Sequence, residues 1–244
     1  MSKVRVLSWN LNNRVGLNQF RADAADAAAS IKADLCVFTE FYPGAHLEIF
    51  TETLKSNGYR HFVLSQEVKS RANRVLIASR IPIIKNEPSF SSFCDDQLRS
   101  NTAICFVPDF NLNVIGIRLP WYKDRKLIFS AWDWVVQEAE KYTQKSTLLI
   151  GDFNVGFEGA ASRGGDHLRH LLASNWSTCE PISESFSFFG HNGKKSKIDH
   201  ALVSRRCTLK SVEYVTETKD FSFAGYSKSL SDHAVLVVEL EVLT

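Results

Sequence analysis

The chain has 244 residues, 44% of them hydrophobic and 23% charged, with a formal net charge of +2. That balance supplies apolar material for a sizeable core and excludes disorder as a description of the chain. The charge is too mild to demand a nucleic-acid partner by itself, and no run of about 18 apolar residues offers a membrane span.

In chain order, strands are expected at "VRVLSWN" from Val4 and "LCVFTE" from Leu35. Phe20, Ala24, Ala27, Ala28 and Ile31 place a helix between them, and a second helix is expected over His46 to Asn57. Strands follow at "RVLIASR" from Arg74, "TAICFV" from Thr102 and "LNVIGI" from Leu112. Leu127, Ala131, Trp134, Val135 and Tyr142 fall at helical spacing, "TLLIGDFN" from Thr147 reads as a strand, and Asp166 to Asn175 as a helix. "HALVS" from His200 and "AVLVVELEV" from Ala234 complete the strands. Helices alternate with strands early and strands dominate late, which gives a mixed α/β class. No linker, low-complexity tract or repeat divides the chain, so residues 1–244 are expected to form a single domain. The five cysteines (Cys36, Cys94, Cys105, Cys179, Cys207) include no CxxC pair and fit reduced, buried thiols. A strand pattern begins directly after Met1-Ser2-Lys3 without a signal-peptide pattern, so the expected location is cytoplasmic.

Polar residues recur where the apolar runs stop. In "LLIGDFNVGFEG", Leu148 to Gly159, alternation along an extended segment points Asp152 and Asn154 the same way and Phe153 back into the core. Gly151 permits a tight exit or a close backbone approach. Asn10 ends the first strand and Glu40 the second, Asp199 sits within "SKIDHALVS", and Asp232 and His233 precede the last strand in "SLSDHAVLVVEL". Each alone reads as a turn residue, a loop carboxylate or a hydrogen-bonded buried group. Their repetition at strand ends gathers them on one rim of a packed sheet, where sites form.

The ordered set "SWN", "TE", "GDFN", "KIDHALVS" and "SDHAVL" resembles the endonuclease/exonuclease/phosphatase superfamily, over nearly the whole chain from Val4 to Leu240. The resemblance implies an α/β fold of four layers, two mixed sheets packed face to face with helices outside. It further implies Glu40 as the main metal ligand, with Asn10 beside it and Asp232 contributing directly or through water. Asp152 then corresponds to the residue that orients or deprotonates the attacking water, and Asn154 to the one that holds it and a phosphate oxygen. His233 would face the phosphoryl oxygen, with Asp199 fixing its imidazole and favouring the charged form. Which of His233 and Asp152 takes the water's proton stays open. His200 reads as a packed strand residue, and His46, His61, His167, His170 and His191 as structural or surface groups.

Four carboxylates gathered in one pocket repel by about 3 kcal/mol per pair at roughly 5 Å, so a cation is required. Oxygen ligands without a cysteine cluster suit Mg²⁺, with Mn²⁺ as the alternative. Where many relatives carry histidine or tyrosine, "VIGIRLPWY" presents Arg118, a planar and permanently charged phosphate-binding candidate.

Basic residues cluster in "KSRANR" (Lys69, Arg71, Arg74), "WYKDRK" (Lys123, Arg125, Lys126) and "GKKSK" (Lys194, Lys195, Lys197). The last two are flanked by Trp121, Tyr122, Phe186, Phe188 and Phe189. Charge interleaved with aromatics suits a nucleic-acid backbone and unstacked bases, and it equally fits solvated surface loops beside core aromatics. The leading expectation is a divalent-metal-dependent nuclease with no membrane and no obligate protein partner. The alternatives are a phosphatase or phospholipid phosphodiesterase, and a phosphate-binding scaffold without catalysis.

Overall fold

A computed structural model describes residues 2–13, 20–68, 72–90, 96–121, 124–179, 181, 185–225 and 228–243. The first half holds β1 (Ser2–Asn10), α1 (Ala24–Ser30), β2 (Leu35–Phe41), α2 (Leu47–Ser56), β3 (His61–Leu64), β4 (Arg74–Ser79), β5 (Ile84–Asn86), α3 (Asp96–Ser100), β6 (Thr102–Val107) and β7 (Leu112–Arg118). The second holds α4 (Arg125–Glu140), β8 (Thr147–Asp152), α5 (Gly165–Ser174), β9 (Trp176–Ser177), β10 (Phe188–Phe189), β11 (Lys195–Ser196), β12 (Asp199–Ser204), β13 (Cys207–Val215) and β14 (Val235–Val242). Every strand and helix expected from apolar patterning forms. The first helix begins at Ala24, later than expected, and Phe20 instead stacks on His46 with ring centroids 4.1 Å apart.

Two sheets of six strands run in the orders β13-β14-β1-β2-β4-β3 and β5-β6-β7-β8-β12-β9, and β10 and β11 form a separate hairpin. Each large sheet contains one parallel pair, β1 with β2 and β7 with β8, among antiparallel neighbours. A parallel pair needs a crossover connection, and α1 and α4 supply it.

Strand alternation sorts the side chains into layers. Val4, Val6, Val37 and Ile77 of the first sheet meet Ala103, Val114, Leu148, Ile150 and Ala201 of the second in one aliphatic core. The intervening Leu7, Trp9, Cys36 and Phe38 face outward and pack with Ala24, Ala28, Phe50 and Leu54 of α1 and α2. On the far side Ile115, Ile117, Leu149 and Leu202 pack with Ile128, Trp132 and Val135 of α4 and Leu168 and Leu171 of α5. The order is helix, sheet, sheet, helix, the α/β sandwich that the resemblance implies. Burial stabilises each fully enclosed Val, Leu or Ile by roughly 1.5 to 3 kcal/mol, so the inter-sheet core fixes how the two rims meet. Gly116 allows that close approach, because a Cβ there would lie 2.7 Å from Val37 Cγ1.

The elements missed by patterning are short or irregular. In β13 the exposed Thr208 and Lys210 precede the buried Val212 and Tyr214, all at even positions. A register shift between Leu209 and Ser211 switches the buried face and erases the period of two. Cys36, Cys105 and Cys207 are buried free thiols, while Cys94 lies outside the described residues. Among the described residues no helix is long and apolar enough to cross a membrane.

Candidate active site

The C-terminal ends of β1, β2, β7 and β8 and the start of β12 share one rim. Along β8, Leu148 and Ile150 face the inter-sheet core, so Asp152 and Asn154 turn the same way while Phe153 packs outward among the α4 and α5 residues. Gly151 is needed at φ 149°, where a Cβ would sit 1.9 Å from the Ile117 carbonyl oxygen. Asn154 takes a left-handed φ of 55°, which asparagine tolerates better than most residues. This turns its backbone N–H to donate to Asp152 Oδ1 at 2.9 Å, while its Nδ2 donates to Asp152 Oδ2 at 3.1 Å and to the Leu119 carbonyl at 2.7 Å.

Asn10 follows the inward series Val4, Val6, Ser8 and is 1% exposed. Its Nδ2 donates to Asp152 Oδ2 at 3.0 Å, and its Oδ1 accepts from the Asn12 N–H at 2.9 Å. Strict alternation would send Glu40 outward with Phe38. The β2–β4 register instead shifts between Phe38 and Phe41, and Glu40 takes a φ of 48°. A bulge of this kind re-aims a side chain, and the left-handed backbone costs of order 1 kcal/mol. At the rim, Arg118 Nε and Nη2 converge on Glu40 Oε1 at 2.9 and 2.7 Å, and Asn13 Nδ2 donates to Oε2 at 2.9 Å. Arg118 Nε also lies 3.9 Å from Asp152 Oδ2.

Asp199 opens β12 directly opposite Asp152 in the β8 register and is 2% exposed. Its Oδ2 accepts from His233 Nδ1 at 2.8 Å, which assigns the Nδ1 proton and leaves Nε2 for a ligand. Residues that patterning did not single out hold this pair. Trp9 Nε1 donates to the His233 carbonyl at 2.9 Å, and Ser231 Oγ donates to the Asn10 carbonyl at 2.7 Å while accepting from the His233 N–H at 3.1 Å. Ser187 Oγ accepts from the Asp199 N–H at 3.1 Å, and the Phe188 ring lies 5.0 Å from the His233 ring. Trp9 and Ser231 stand inside the quoted motifs "SWN" and "SDHAVL", which was their only sequence signal. Asp232 is half-buried beside Ser231.

Burial raises the Asp152 carboxyl to about 7, reinforced by the charge of Asp199 and opposed by His233 and Arg118. Burial acts to lower His233, but the charge and hydrogen bond of Asp199, with Asp152 and Asp232 behind them, raise it to about 9. His200, one residue from Asp199, faces the other way. Burial lowers it to about 4, its Nε2 meets the Val155 carbonyl at 2.8 Å, and its ring packs 4.3 Å from Phe157. It is a packed strand residue, as expected.

The basic clusters separate. "GKKSK" forms the tip and return of the β10–β11 hairpin beside His233, with Lys195 Nζ 5.5 Å from the Phe189 ring centre. Arg125 and Lys126 are exposed at the start of α4, whereas Tyr122 and Lys123 lie outside the described residues. Lys69 and Arg71 also lie outside them, and Arg74 corrects the expectation of a basic surface cluster. It is buried in β4 and donates to the Ser65 carbonyl, with Glu67 3.4 Å away.

The donor set fits a hard divalent cation. Glu40, Asp152, Asp199 and Asp232 face two cationic partners, Arg118 and His233, so the carboxylates outnumber the cations beside them. Among the described residues no three acidic, histidine or cysteine side chains converge as a protein cage. Mg²⁺ does not need one, since one or two carboxylates plus waters and substrate phosphate suffice.

An α/β sandwich with buried carboxylates and an Asp–His pair at the strand ends defines a class. The family model described as "Endonuclease/Exonuclease/phosphatase family" matches residues 7–233, and the chain belongs to that family. No curated protein matches it. Among solved structures, a 3′ phosphatase, NExo, from Neisseria bound to a product DNA hairpin is 20% identical, with 98% of this chain and 99% of that chain covered at a TM-score of 0.73. An AP endonuclease from Archaeoglobus fulgidus is 15% identical over 96% of this chain and 98% of its own, at a TM-score of 0.72. An endonuclease/exonuclease/phosphatase from Beutenbergia cavernae is 13% identical, covering 100% of this chain and 72% of its own at 0.73. At these identities the likeness is one of fold.

Proposed function

We propose that the chain is a divalent-metal-dependent phosphodiesterase that cleaves nucleic acid by attack of water on phosphorus. Enzymes of its family are phosphoester hydrolases that generally use divalent cations. The observation that carries the reading is the buried cluster at the rim, where Asn10 and Asn154 donate to the Asp152 carboxylate and Asp199 holds His233 Nδ1 at 2.8 Å, with burial raising the Asp152 carboxyl and the Asp199 charge raising the imidazole. At neutral pH His233 keeps its proton, so it serves as a charge stabiliser and not as the base. Asp152 is poised to accept a proton from water, and a base with a pKa near the working pH is the efficient one.

Asn10 and Asn154 hold the Asp152 carboxylate in one orientation through three donated hydrogen bonds. Asp199 fixes the imidazolium so that Nε2–H meets a non-bridging phosphoryl oxygen as charge builds there. Arg118 orients Glu40 with two of its nitrogens, and its remaining donors suit a second phosphate oxygen. A cation held by Glu40, with Asp232 and Asn10 as further oxygen donors, would supply Lewis-acid charge to the phosphate. The basic β10–β11 hairpin and its phenylalanines, beside His233, support a nucleic-acid substrate.

The test is turnover of single-stranded DNA, duplex DNA, abasic duplex, RNA, a 3′-phosphorylated oligonucleotide, inositol phosphates and sphingomyelin, with Mg²⁺, Mn²⁺ or EDTA. Cleavage confined to the nucleic acids and abolished by EDTA is expected. Turnover of only the inositol phosphates or sphingomyelin would reassign the substrate, and no turnover of any would leave a phosphate-binding scaffold.

A further inference from the structure

Trp121 is 57% exposed, the most exposed large hydrophobic side chain among the described residues, and it stands on the loop that follows Arg118 at the end of β7. The backbone two residues before it is anchored. The Leu119 N–H donates to the Asp152 carbonyl at 2.8 Å, and the Leu119 carbonyl accepts from Asn154 at 2.7 Å. Two residues further on, the Trp121 backbone lies within about 7 Å of this anchor by chain geometry. One face of the indole is covered by Arg163, whose guanidinium carbon is 4.0 Å from the ring centre. Arg163 ends the short helical turn Ala161–Arg163 that follows Asn154 and its loop. That loop is tied to α5 by Arg169 Nη1, which donates to the Phe157 and Gly159 carbonyls at 2.8 and 3.2 Å. The pair thus bridges the loop that follows Arg118 and the one that follows Asp152 and carries Asn154.

With one face occupied and 57% of the residue still exposed, the opposite indole face is open to solvent. We propose that the Trp121–Arg163 stack is a platform for an unpaired nucleobase next to the scissile phosphate. This deepens the nuclease reading and rests on it. The charge on Arg163 selects the occupant. A cationic headgroup such as choline would meet a ring whose π cloud already faces a guanidinium, and it would be repelled. A neutral, flat base stacks on the open face while the phosphates beside it gain from the positive charge. Such a site orders a single strand and tolerates any base, because every base has a π face.

The experiment is binding of two fluorescein-labelled probes of equal length, a single-stranded oligothymidylate and an abasic deoxyribose-phosphate oligomer, followed by anisotropy in EDTA. Trp121→Ala is expected to weaken the oligothymidylate about tenfold and the abasic oligomer less than about twofold, with Trp121→Phe in between. Thermal melting of each variant checks the fold. Unchanged oligothymidylate binding by Trp121→Ala overturns the platform, as does equal weakening of both probes, which would indicate charge or loop positioning. If wild type binds the oligothymidylate through Trp121 yet cleaves no nucleic acid, the platform stands and the reaction assignment fails. If wild type cleaves nucleic acid and Trp121→Ala binds normally, the platform fails and the reaction stands. Binding of neither probe by wild type overturns the platform.

Discussion

Both sheets contain one parallel pair joined through a helix, β1–α1–β2 in one and β7–α4–β8 in the other, yet they bring different chemistry to the shared rim. The first sheet and the turn leading into β14 contribute Asn10, Glu40, Asp232 and His233. The second contributes Arg118, Asp152, Asn154 and Asp199. Asn10 meets Asp152, Glu40 meets Arg118, and His233 meets Asp199, so each of these contacts runs from one sheet to the other. Neither half holds a site alone. The aliphatic core between the sheets therefore sets the distances across the rim, and the proposed chemistry depends on how the sheets pack.

Breaking the histidine contact should have the largest effect. His233→Ala and Asp152→Ala are each expected to lower kcat by roughly 10²-fold or more, as for positioned proton-transfer and charge-stabilising groups. Because Asp199 acts through His233, the Asp199→Ala/His233→Ala double variant should be little slower than His233→Ala alone. Steady-state kinetics beside circular dichroism checks this, and fully additive losses would separate the two residues.

The Glu40–Arg118 contact comes next. Arg118→Ala should lose about 2 to 4 kcal/mol of transition-state stabilisation, and Arg118→Lys should recover part of it. Arg118→His should make kcat/KM fall as pH rises through imidazole deprotonation, near roughly 6.5 if unperturbed. These values are to be measured between pH 5.5 and 9 at fixed metal and salt. Equal values for wild type and Arg118→Ala would reduce Arg118 to a structural residue.

The pH profile sharpens the division of roles between the sheets. The rate should rise as Asp152 loses its proton around about 7 and fall as His233 loses its own around about 9. A bound cation favours the carboxylate and moves the rising limb lower. Asp199→Asn removes the charge that holds His233 up, so its falling limb should move down towards roughly 6.5. A falling limb that stays put in this variant would deny Asp199 its role. The smallest effect is expected outside the pocket. Trp9→Phe removes the indole donor to the His233 carbonyl and should cost roughly 1 to 3 kcal/mol of stability in urea unfolding, with kcat changed far less than in the variants above.

How much of this was readable before folding depends on strand alternation. Asn10, Asp152 and Asp199 continue the inward face of regular strands, so the apolar neighbours disclose their direction, whereas Asn154 lies past the end of β8 with a left-handed backbone. Glu40 does not, because its direction comes from a bulge and a left-handed backbone that only the pairing with β4 reveals. Its contact with Arg118 joins residues 78 apart in sequence, and no local pattern encodes which sheet face meets which. Arg74 read as surface charge because a buried arginine stem in an edge-side strand looks the same in sequence as an exposed one. Trp9 and Ser231 stood inside recognised motifs, but the bonds from Trp9 to the His233 carbonyl and from Ser231 to the Asn10 carbonyl depend on β14 lying beside β1.

On the proposed reading, water held by this two-sheet cluster attacks phosphorus in nucleic acid with the help of a divalent cation. The most direct test of this reading is end-group analysis of an oligonucleotide cleaved in ¹⁸O-labelled water, with Mg²⁺ or with EDTA. The expected result is ¹⁸O in a 5′-phosphate opposite a 3′-hydroxyl, formed with Mg²⁺ and absent in EDTA. Sustained cleavage in EDTA, or 3′-phosphate ends, would contradict it.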